Sequence, residues 1–226
     1  MTVWLIDTEH RRVIDDPVHG PDHAAKIEQA RSRIEEAADA PCVIRHYADV
    51  IPATLQESAP TALVIGGNTT AWAKFNLDLF APLFETIRNA PVPILGICAG
   101  HQLVGYAHGA TWRAMGALRT GEIDPDPRFA PGQHKERGFP PVAFEPDCLL
   151  FQGLEPGARF FQSHYWQLED VPPGFLARGS SPQSPVQVIE REDQPVFGVQ
   201  FHPERYDDAH LAGAKLLRNF FALGRP

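Results

Sequence analysis

Short apolar runs alternate with helix-like segments through the first half of the chain. Four runs are rich in β-branched residues and end at glycine, proline or a polar residue, and we predict them to be buried strands: 3–6, 42–44, 61–65 and 92–97. Between them, 23–38 and 77–87 place apolar residues at the three- and four-residue intervals of an amphipathic helix. This order, with its short connections, predicts an α/β fold with a mostly parallel central sheet and helices on both faces.

The second half of the chain follows a different pattern. Residues 119–147 contain six prolines, so we predict an excursion of loops with a hairpin there. Strand-like runs follow at 160–162, 175–177, 186–190 and 196–201, and an apolar stripe predicts a final helix over 208–223. These runs predict a small antiparallel annex to the sheet. No internal repeat is visible, and the whole chain, 1–226, is predicted to form one domain.

Composition narrows the classes of protein that fit this pattern. The 226 residues carry 20 Lys+Arg against 28 Asp+Glu, and the net charge of −8 argues against a nucleic-acid partner. No apolar run approaches the roughly 20 residues of a membrane span, and no signal-peptide pattern opens the chain. The three cysteines, at 42, 98 and 148, fit neither a disulfide framework nor a zinc site. We therefore expect a soluble cytoplasmic protein without membrane association.

The segment Gly96-Ile97-Cys98-Ala99-Gly100 lies between an apolar strand and a predicted helix. It is the cysteine counterpart of the G-x-S-x-G nucleophile elbow, a strained turn whose glycines let strand and helix approach closely. The helix N-terminus favours the thiolate, which is the reactive form of cysteine. Cys98 is therefore a candidate nucleophile, although a buried structural cysteine is an equally good interpretation of this segment alone.

A histidine and a carboxylate lie just beyond the strand predicted at 196–201. These are His202 and Glu204, separated by Pro203, which fixes the chain so that the carboxylate can fold back onto the imidazole. A cysteine nucleophile needs a base to take up its proton, and the base needs an acceptor that orients it. We therefore predict a Cys98–His202–Glu204 triad.

A glycine pair in Gly66-Gly67-Asn68 follows the strand that precedes the elbow strand. Ligands of parallel α/β sheets bind at the carboxyl ends of strands, so we expect this pair to face Cys98. The backbone N–H groups of Gly67 and Ala99 are then candidates for an oxyanion hole, with a plain strand-end turn as the competing interpretation. A phosphate loop is excluded because no G-K-[ST] follows. His101 is expected to be a structural hydrogen-bonding residue.

These motifs together resemble the class I, triad-type glutamine amidotransferases. GICAGHQ is preceded by VIGGN and followed about a hundred residues later by FHPE. The blocks LFQGL, FFQSHYWQLEDVPPGFLARGSS, PVFGVQFHPE and LLRNFF occur in the family's order. The resemblance covers nearly the whole chain, is loosest over 8–40 and 119–147, and implies the family's flavodoxin-like fold.

The resemblance implies hydrolysis of the side-chain amide of L-glutamine. Cys98 is expected to attack the amide, form a γ-glutamyl thioester and release ammonia. His202 is expected to act as base and then as acid, with Glu204 orienting its ring. No cofactor or metal is implied.

Further residues are implied as substrate contacts by the same resemblance: Gly66, Gln102, Ser163, His164 and Tyr165. For the last three, the contact is expected through the backbone. The family often continues Ser-His with Gly-Asp, whereas this block reads QSHYWQ. Its aromatic residues are expected to reshape the pocket or the route that ammonia takes.

The ammonia acceptor is expected to be a separate synthase protein. The chain has neither an ATP-binding loop nor the S-G-G-x-D-S motif of a fused synthetase, so we expect weak glutaminase activity alone and stimulation by that partner. Two alternatives stay open. The same triad architecture serves γ-glutamyl hydrolases, which cut γ-glutamyl amides or peptides without a partner, and a regulatory member of the fold would be non-catalytic.

Overall fold

An eight-stranded sheet forms the centre of the computed structural model, which describes residues 2–224. In chain order the strands are β1 (Val3–Asp7), β2 (Cys42–His46), β3 (Ala62–Ile65), β4 (Ile94–Ile97), β5 (Trp112–Ala114), β6 (Glu136–Gly138), β7 (Ala143–Phe144), β8 (Gln162–His164), β9 (Trp166–Leu168), β10 (Phe175–Ser180), β11 (Val188–Arg191) and β12 (Val196–Val199). The helices are α1 (Arg11–Ile14), α2 (Gly20–Ala38), α3 (Pro52–Ser58), α4 (Ala81–Asn89), α5 (Ala99–Ala107) and α6 (Ala212–Ala222).

The strand order of the large sheet is β2-β1-β3-β4-β12-β11-β10-β7. Strands from β2 to β12 pair in parallel, and those from β12 to β7 pair antiparallel. Two short antiparallel pairs, β5-β9 and β6-β8, lie outside this sheet. The predicted fold class, a mostly parallel sheet with a small antiparallel annex, is therefore confirmed.

Helices cover both faces of the sheet and account for the apolar strands. All residues of β1, β3, β4 and β12 are buried, whereas the edge strand β2 alternates between buried and exposed positions. On one face α4 and α5 contribute to the hydrophobic core, and on the other face α2 and α6 do so. Because a strand covered on both faces meets no water, it needs a continuous apolar run rather than an alternating one.

Two predicted helices differ from the structure. The helix predicted over 77–87 is a 3₁₀ helix, Leu77–Phe80, followed by α4, which has Pro82 in its first turn, where the missing N–H is not needed. The final helix begins only at Ala212, because the Asp207 side chain binds the Ala209 N–H at 3.0 Å and holds a turn instead.

The hairpin predicted within 119–147 is wrong. The two strands of this excursion, β6 and β7, pair with the later strands β8 and β10 and not with each other. The pairing partners are distant in the sequence, so local turn signals could not reveal them.

No helix within residues 2–224 has the length and apolarity to cross a membrane.

Candidate active site

Cys98 lies on the tight turn between β4 and α5. Its backbone has φ +55° and ψ −106°, a conformation that L-residues other than glycine rarely adopt. The turn brings α5 against the sheet so closely that a Cβ on Gly100 would lie 2.0 Å from the Ile65 carbonyl oxygen, and one on Gly96 would lie 2.4 Å from the Gly100 oxygen. The two glycines of the elbow are thus required by contact between strand and helix.

His202 and Glu204 reach the same edge of the sheet through β12. This strand pairs in parallel with β4, with Val199 opposite Ile97, so the residues that follow each strand are neighbours. Nδ1 of His202 lies 2.7 Å from Oε1 of Glu204, and the ring is close enough to Cys98 to interact with it electrostatically. The His202 N–H donates to the Phe161 oxygen at 2.8 Å, which fixes the backbone of this segment.

Electrostatic attraction controls the protonation of His202. Burial by itself lowers the pKa of the imidazole, but the negative charges of Glu204 and Cys98 outweigh it and raise the pKa to about 9. The ring is therefore positively charged at neutral pH, next to a cysteine sulfur and a carboxylate. Such a pair holds a proton ready for transfer to a leaving group.

Gly67 lies in close contact with both Cys98 and His202. A Cβ at this position would lie 2.9 Å from Cε1 of His202 and 3.2 Å from Cβ of Cys98. Ala99 is the first residue of α5, where backbone N–H groups have no partner within the helix. The two residues predicted as oxyanion-hole donors therefore flank Cys98.

A buried carboxylate that the sequence analysis missed anchors the loop after Gly67. Glu9 accepts hydrogen bonds from the N–H and hydroxyl of Thr69 at 2.6 and 2.7 Å, and from the hydroxyl of Thr70 at 2.6 Å. It follows β1, whose carboxyl end lies at the same edge of the sheet as those of β3 and β4. That position is the signal that could have identified it.

The side chain of Gln102 is buried and its amide is fully engaged. Its oxygen accepts from the indole Nε1 of Trp72 at 2.6 Å, and its nitrogen donates to the Trp166 oxygen at 2.9 Å and to Oε1 of Gln200 at 3.0 Å. The structure thus places Gln102 near Cys98, but with both amide protons already in use.

The predicted Ser163-His164-Tyr165 contacts lie across from Cys98. Both ring nitrogens of His164 are engaged: Nε2 lies 2.9 Å from the carboxylate of buried Glu136, and Nδ1 lies 3.0 Å from the Trp166 oxygen. The Ser163 hydroxyl accepts from Arg137. Gly66 is held at the end of β3, its N–H donating to the Ile6 oxygen at 2.9 Å.

Two cavities meet at these residues. One has a volume of about 20 Å³ and is lined by Cys98, Gln102 and Tyr165 among others. The second, of about 140 Å³, is lined by His202, Glu204 and residues of α2. Phe129, from the Pro-rich excursion, lines both. Because one water needs roughly 10–15 Å³, the cavity at Cys98 is small, and Phe129 forms part of its wall.

A buried lysine holds the segment that carries Phe129. The Lys135 ammonium donates to the backbone oxygens of Asp126, Phe129 and Ala130 and contacts the Asp124 carboxylate at 2.8 Å. Such a charge is tolerated in a buried position because every donor has an oxygen partner. We call residues 119–135 the cover loop.

No group of three or more His, Cys, Asp or Glu side chains within residues 2–224 is arranged to hold a metal ion.

Comparison with known proteins adds to this geometry. A family model described as glutamine amidotransferase class-I matches residues 22–223. The glutamine-hydrolyzing GMP synthase of Rhodopseudomonas palustris is 31% identical in an alignment of 182 residues that covers 77% of this chain and 30% of that protein. One subunit of the glutamine-hydrolyzing GMP synthase of Pyrococcus furiosus is 29% identical in an alignment of 178 residues that covers 76% of this chain and 83% of that one. The chain thus spans less than a third of the full-length relative.

Solved structures share the fold. A Thermoplasma acidophilum protein assigned as one of the subunits of a GMP synthase superposes with a TM-score of 0.73 at 21% identity, over 99% of this chain and 94% of that one. A glutamine amidotransferase of Thermotoga maritima superposes with a TM-score of 0.65 at 17% identity, over 99% of this chain and 97% of that one. At these identities the likeness concerns the fold alone.

Proposed function

The chain belongs to the class I glutamine amidotransferase family, and we propose that it hydrolyses L-glutamine to glutamate and ammonia and passes the ammonia to a separate synthase protein. The resemblance drawn from its motifs is confirmed by the family match over residues 22–223. The observation that carries the proposed activity is the position of Cys98, His202 and Glu204 at one edge of the sheet, with Nδ1 of His202 2.7 Å from the Glu204 carboxylate.

The proposed reaction begins with addition of the Cys98 thiolate to the amide carbon of glutamine. The oxyanion that forms accepts hydrogen bonds from the N–H groups of Gly67 and Ala99. Charged His202 gives its proton to the amide nitrogen, the C–N bond breaks, and ammonia leaves a γ-glutamyl thioester behind. His202 then takes a proton from water, whose oxygen attacks the thioester, and the departure of glutamate regenerates the thiolate.

Other residues position the substrate in this proposal. The backbone of Gly66 and of Ser163-His164-Tyr165 faces the glutamate part of the substrate. Asn68 adds a further donor, since its side-chain nitrogen is buried without a hydrogen-bond partner and the residue lines both cavities. Such an orphaned donor is stabilised when a substrate oxygen accepts its hydrogen bond.

We propose that the acceptor is a synthase of the kind named in the relatives. The Pyrococcus furiosus relative, of which this chain covers 83%, is named as one of the subunits of a glutamine-hydrolyzing GMP synthase. The small cavity at Cys98 supports a dependence on such a partner, and we infer that the cover loop moves to admit glutamine. GMP synthase is accordingly the first candidate for the assembled activity.

The test is ammonia release from L-glutamine by the purified chain, with and without candidate synthase proteins, and with Cys98→Ala as the control for background hydrolysis. We expect slow release by the chain alone and faster release with its partner. Equal rates with and without every candidate would contradict ammonia transfer.

The names of the relatives favour neither alternative function. Ranking glutamine against γ-glutamyl amides and peptides by kcat/KM tests the alternative that the chain is a γ-glutamyl hydrolase. Absence of a Cys98 adduct with a glutamine-mimicking electrophile would support a non-catalytic role.

A further inference from the structure

Four side chains form a continuous hydrogen-bonded chain that ends at the nucleophile. Nε1 of Trp72 donates to Oε1 of Gln102 at 2.6 Å, and Nε2 of Gln102 donates to Oε1 of Gln200 at 3.0 Å. Nε2 of Gln200 then donates to Sγ of Cys98 at 3.7 Å, within the range for a sulfur acceptor. All four residues are buried, so water does not compete for these bonds.

The pairing of the strands explains why Gln200 reaches the sulfur. Val199, the last residue of β12, is opposite Ile97, the last residue of β4. The next residue on each strand is Gln200 and Cys98, and the Cys98 N–H donates to the Val199 oxygen at 2.8 Å. The two side chains are therefore held as neighbours by the backbone of the sheet.

The direction of the hydrogen bonds is fixed at the far end of the chain. An amide side chain can turn over and exchange its oxygen and nitrogen, but an indole N–H is a donor only. Trp72 therefore requires the oxygen of Gln102, and the Trp166 backbone oxygen, which only accepts, binds the nitrogen of Gln102 at 2.9 Å. With both contacts made, the nitrogen of Gln102 also faces Gln200. This in turn requires the oxygen of Gln200 on that side, so the nitrogen of Gln200 faces the sulfur.

The two orientations of Gln200 have opposite effects on Cys98. With the nitrogen toward the sulfur, an N–H donor faces the thiolate, and a hydrogen bond to a charged acceptor is stronger than one to a neutral acceptor. With the oxygen toward the sulfur, a partial negative charge would face the thiolate and favour the protonated thiol instead. The orientation therefore determines which form of the nucleophile is stabilised.

We propose that Gln200 stabilises the Cys98 thiolate by hydrogen-bond donation, and that Trp72, acting through Gln102 together with the Trp166 oxygen, holds the orientation that this donation requires. Gln200 contacts a reacting atom, whereas Trp72 and Gln102 are positioning residues. The proposal rests on Cys98 as the nucleophile of the proposed function. It also gives Gln102 a role that does not require its amide to bind substrate.

The experiment measures the rate of Cys98 alkylation by iodoacetamide as a function of pH, with peptide mass spectrometry to identify the modified cysteine. Cys42 and Cys148 contribute little to the signal, since burial raises the pKa of each thiol to about 12. Gln200→Met keeps the shape of the side chain and removes the donor. We expect the midpoint of the alkylation profile to rise by about one pH unit, the effect of one hydrogen bond to a charged group.

Trp72→Phe tests the remote control of orientation. It keeps an aromatic ring but removes the indole donor, so the Trp166 oxygen alone holds the orientation of Gln102, and we expect the midpoint to rise, although by less than in Gln200→Met. Trp112→Phe is the matched control, because Trp112 stacks on Trp72 at 4.6 Å and does not belong to the hydrogen-bonded chain. Its midpoint is expected to equal that of the wild type.

An unchanged midpoint in folded Gln200→Met overturns the thiolate donor. A shift in Gln200→Met without one in Trp72→Phe, or an equal shift in Trp112→Phe, overturns the role of Trp72. Thermal unfolding of each variant establishes that it is folded. If Gln200→Met does not fold, the midpoint measured for Trp72→Phe tests the proposal in its place. Alkylation requires no glutamine turnover, so failure of this proposal is distinguishable from failure of the proposed function.

Discussion

The backbone of Cys98 stores strain at the residue where the proposed reaction takes place. A φ of +55° in a residue with a side chain has a free-energy cost of about 1–3 kcal/mol. The surrounding contacts maintain it, because the Cys98 N–H is bound by β12 and the glycines on either side allow α5 to pack against β3 and β4. The strain holds the sulfur at the head of the helix, facing Gly67 and His202.

Substitution of the triad should separate the roles of its members. Cys98→Ala is expected to abolish turnover and leave the chain folded. Glu204→Ala should retain a rate on the order of 10²-fold above that of Cys98→Ala, because an orienting group contributes less than a nucleophile. The measurement is kcat for glutamine hydrolysis, with circular dichroism as the control for folding. Equal inactivity of the two folded variants would mean that Glu204 does more than orient His202.

Gly67→Ala should impair catalysis by crowding. The added methyl group would lie 2.9 Å from Cε1 of His202, so the imidazole must move away from Cys98. A displacement of about 1 Å at reacting groups can lower a rate about 10²-fold, and we expect a loss of that order in kcat. Gly224→Ala is the matched control, since its Cβ meets nothing closer than 3.4 Å. Retention of full activity by Gly67→Ala would contradict the position assigned to His202.

At the scale of elements, two kinds of feature could be predicted from the sequence: those formed by neighbouring residues, and those that follow from the direction of the strands. The elbow was predictable because a nucleophile between glycines, an apolar strand before it and a helix after it all lie within a few residues. His202 and Glu204 were predictable because parallel strands bring their carboxyl ends to one edge. Gln200 carried no such signal, since a glutamine at the end of an apolar strand has a defined role only once its partners are known.

Loops were predicted over 119–147, but the position of the cover loop against the site could not be, because its contacts are not periodic. Lys135 is folded among backbone oxygens of its own loop, and a lysine in a Pro-rich polar stretch has the pattern of an exposed loop residue. Phe129 has no neighbouring apolar repeat that would predict its half-buried position. Its ring packs against Tyr165, which lies between β8 and β9 and is far away in the sequence.

Phe129→Ala should raise the glutaminase activity of the chain without a partner. The ring lines both cavities and packs edge-on against Tyr165 at 5.6 Å. An aromatic contact of this kind contributes about 0.5–1.5 kcal/mol, so its loss should increase kcat/KM roughly two- to tenfold by favouring the open site. Ile123→Ala is the control, because Ile123 belongs to the same loop but is 90% exposed. A lower kcat/KM in Phe129→Ala would show that the ring aids substrate binding instead.

At the scale of the whole molecule, His101 links folding to pH. The side chain is completely buried in α5 with its Nε2 donating to the Val186 oxygen at 3.1 Å, and burial lowers its pKa to about 3. In the unfolded chain this imidazole takes up a proton near pH 6.5, whereas in the folded chain it stays neutral down to about pH 3. Stability from this residue is therefore fully present above pH 6.5 and is lost as the pH falls toward 3.

Urea unfolding at pH 7, 6 and 5 checks this contribution. His101→Gln keeps a donor for the Val186 oxygen and does not titrate. Below pH 6.5 the wild type should lose roughly 1 kcal/mol of unfolding free energy per pH unit more than the variant. Parallel pH dependences of the two proteins would contradict a neutral, buried His101.

The strand order determines at what stage of synthesis the central sheet can be completed. β12 is synthesised after every other strand of the large sheet, yet it lies in the middle of that sheet, between β4 and β11. Until it inserts, both of those neighbours have an open edge, and a nascent chain that ends before Val196 lacks Gln200, His202 and Glu204. The strand that completes the core is thus followed directly by the residues proposed to act with Cys98. Under the proposed function, a product of the ribosome that ends before Val196 is therefore unable to release ammonia.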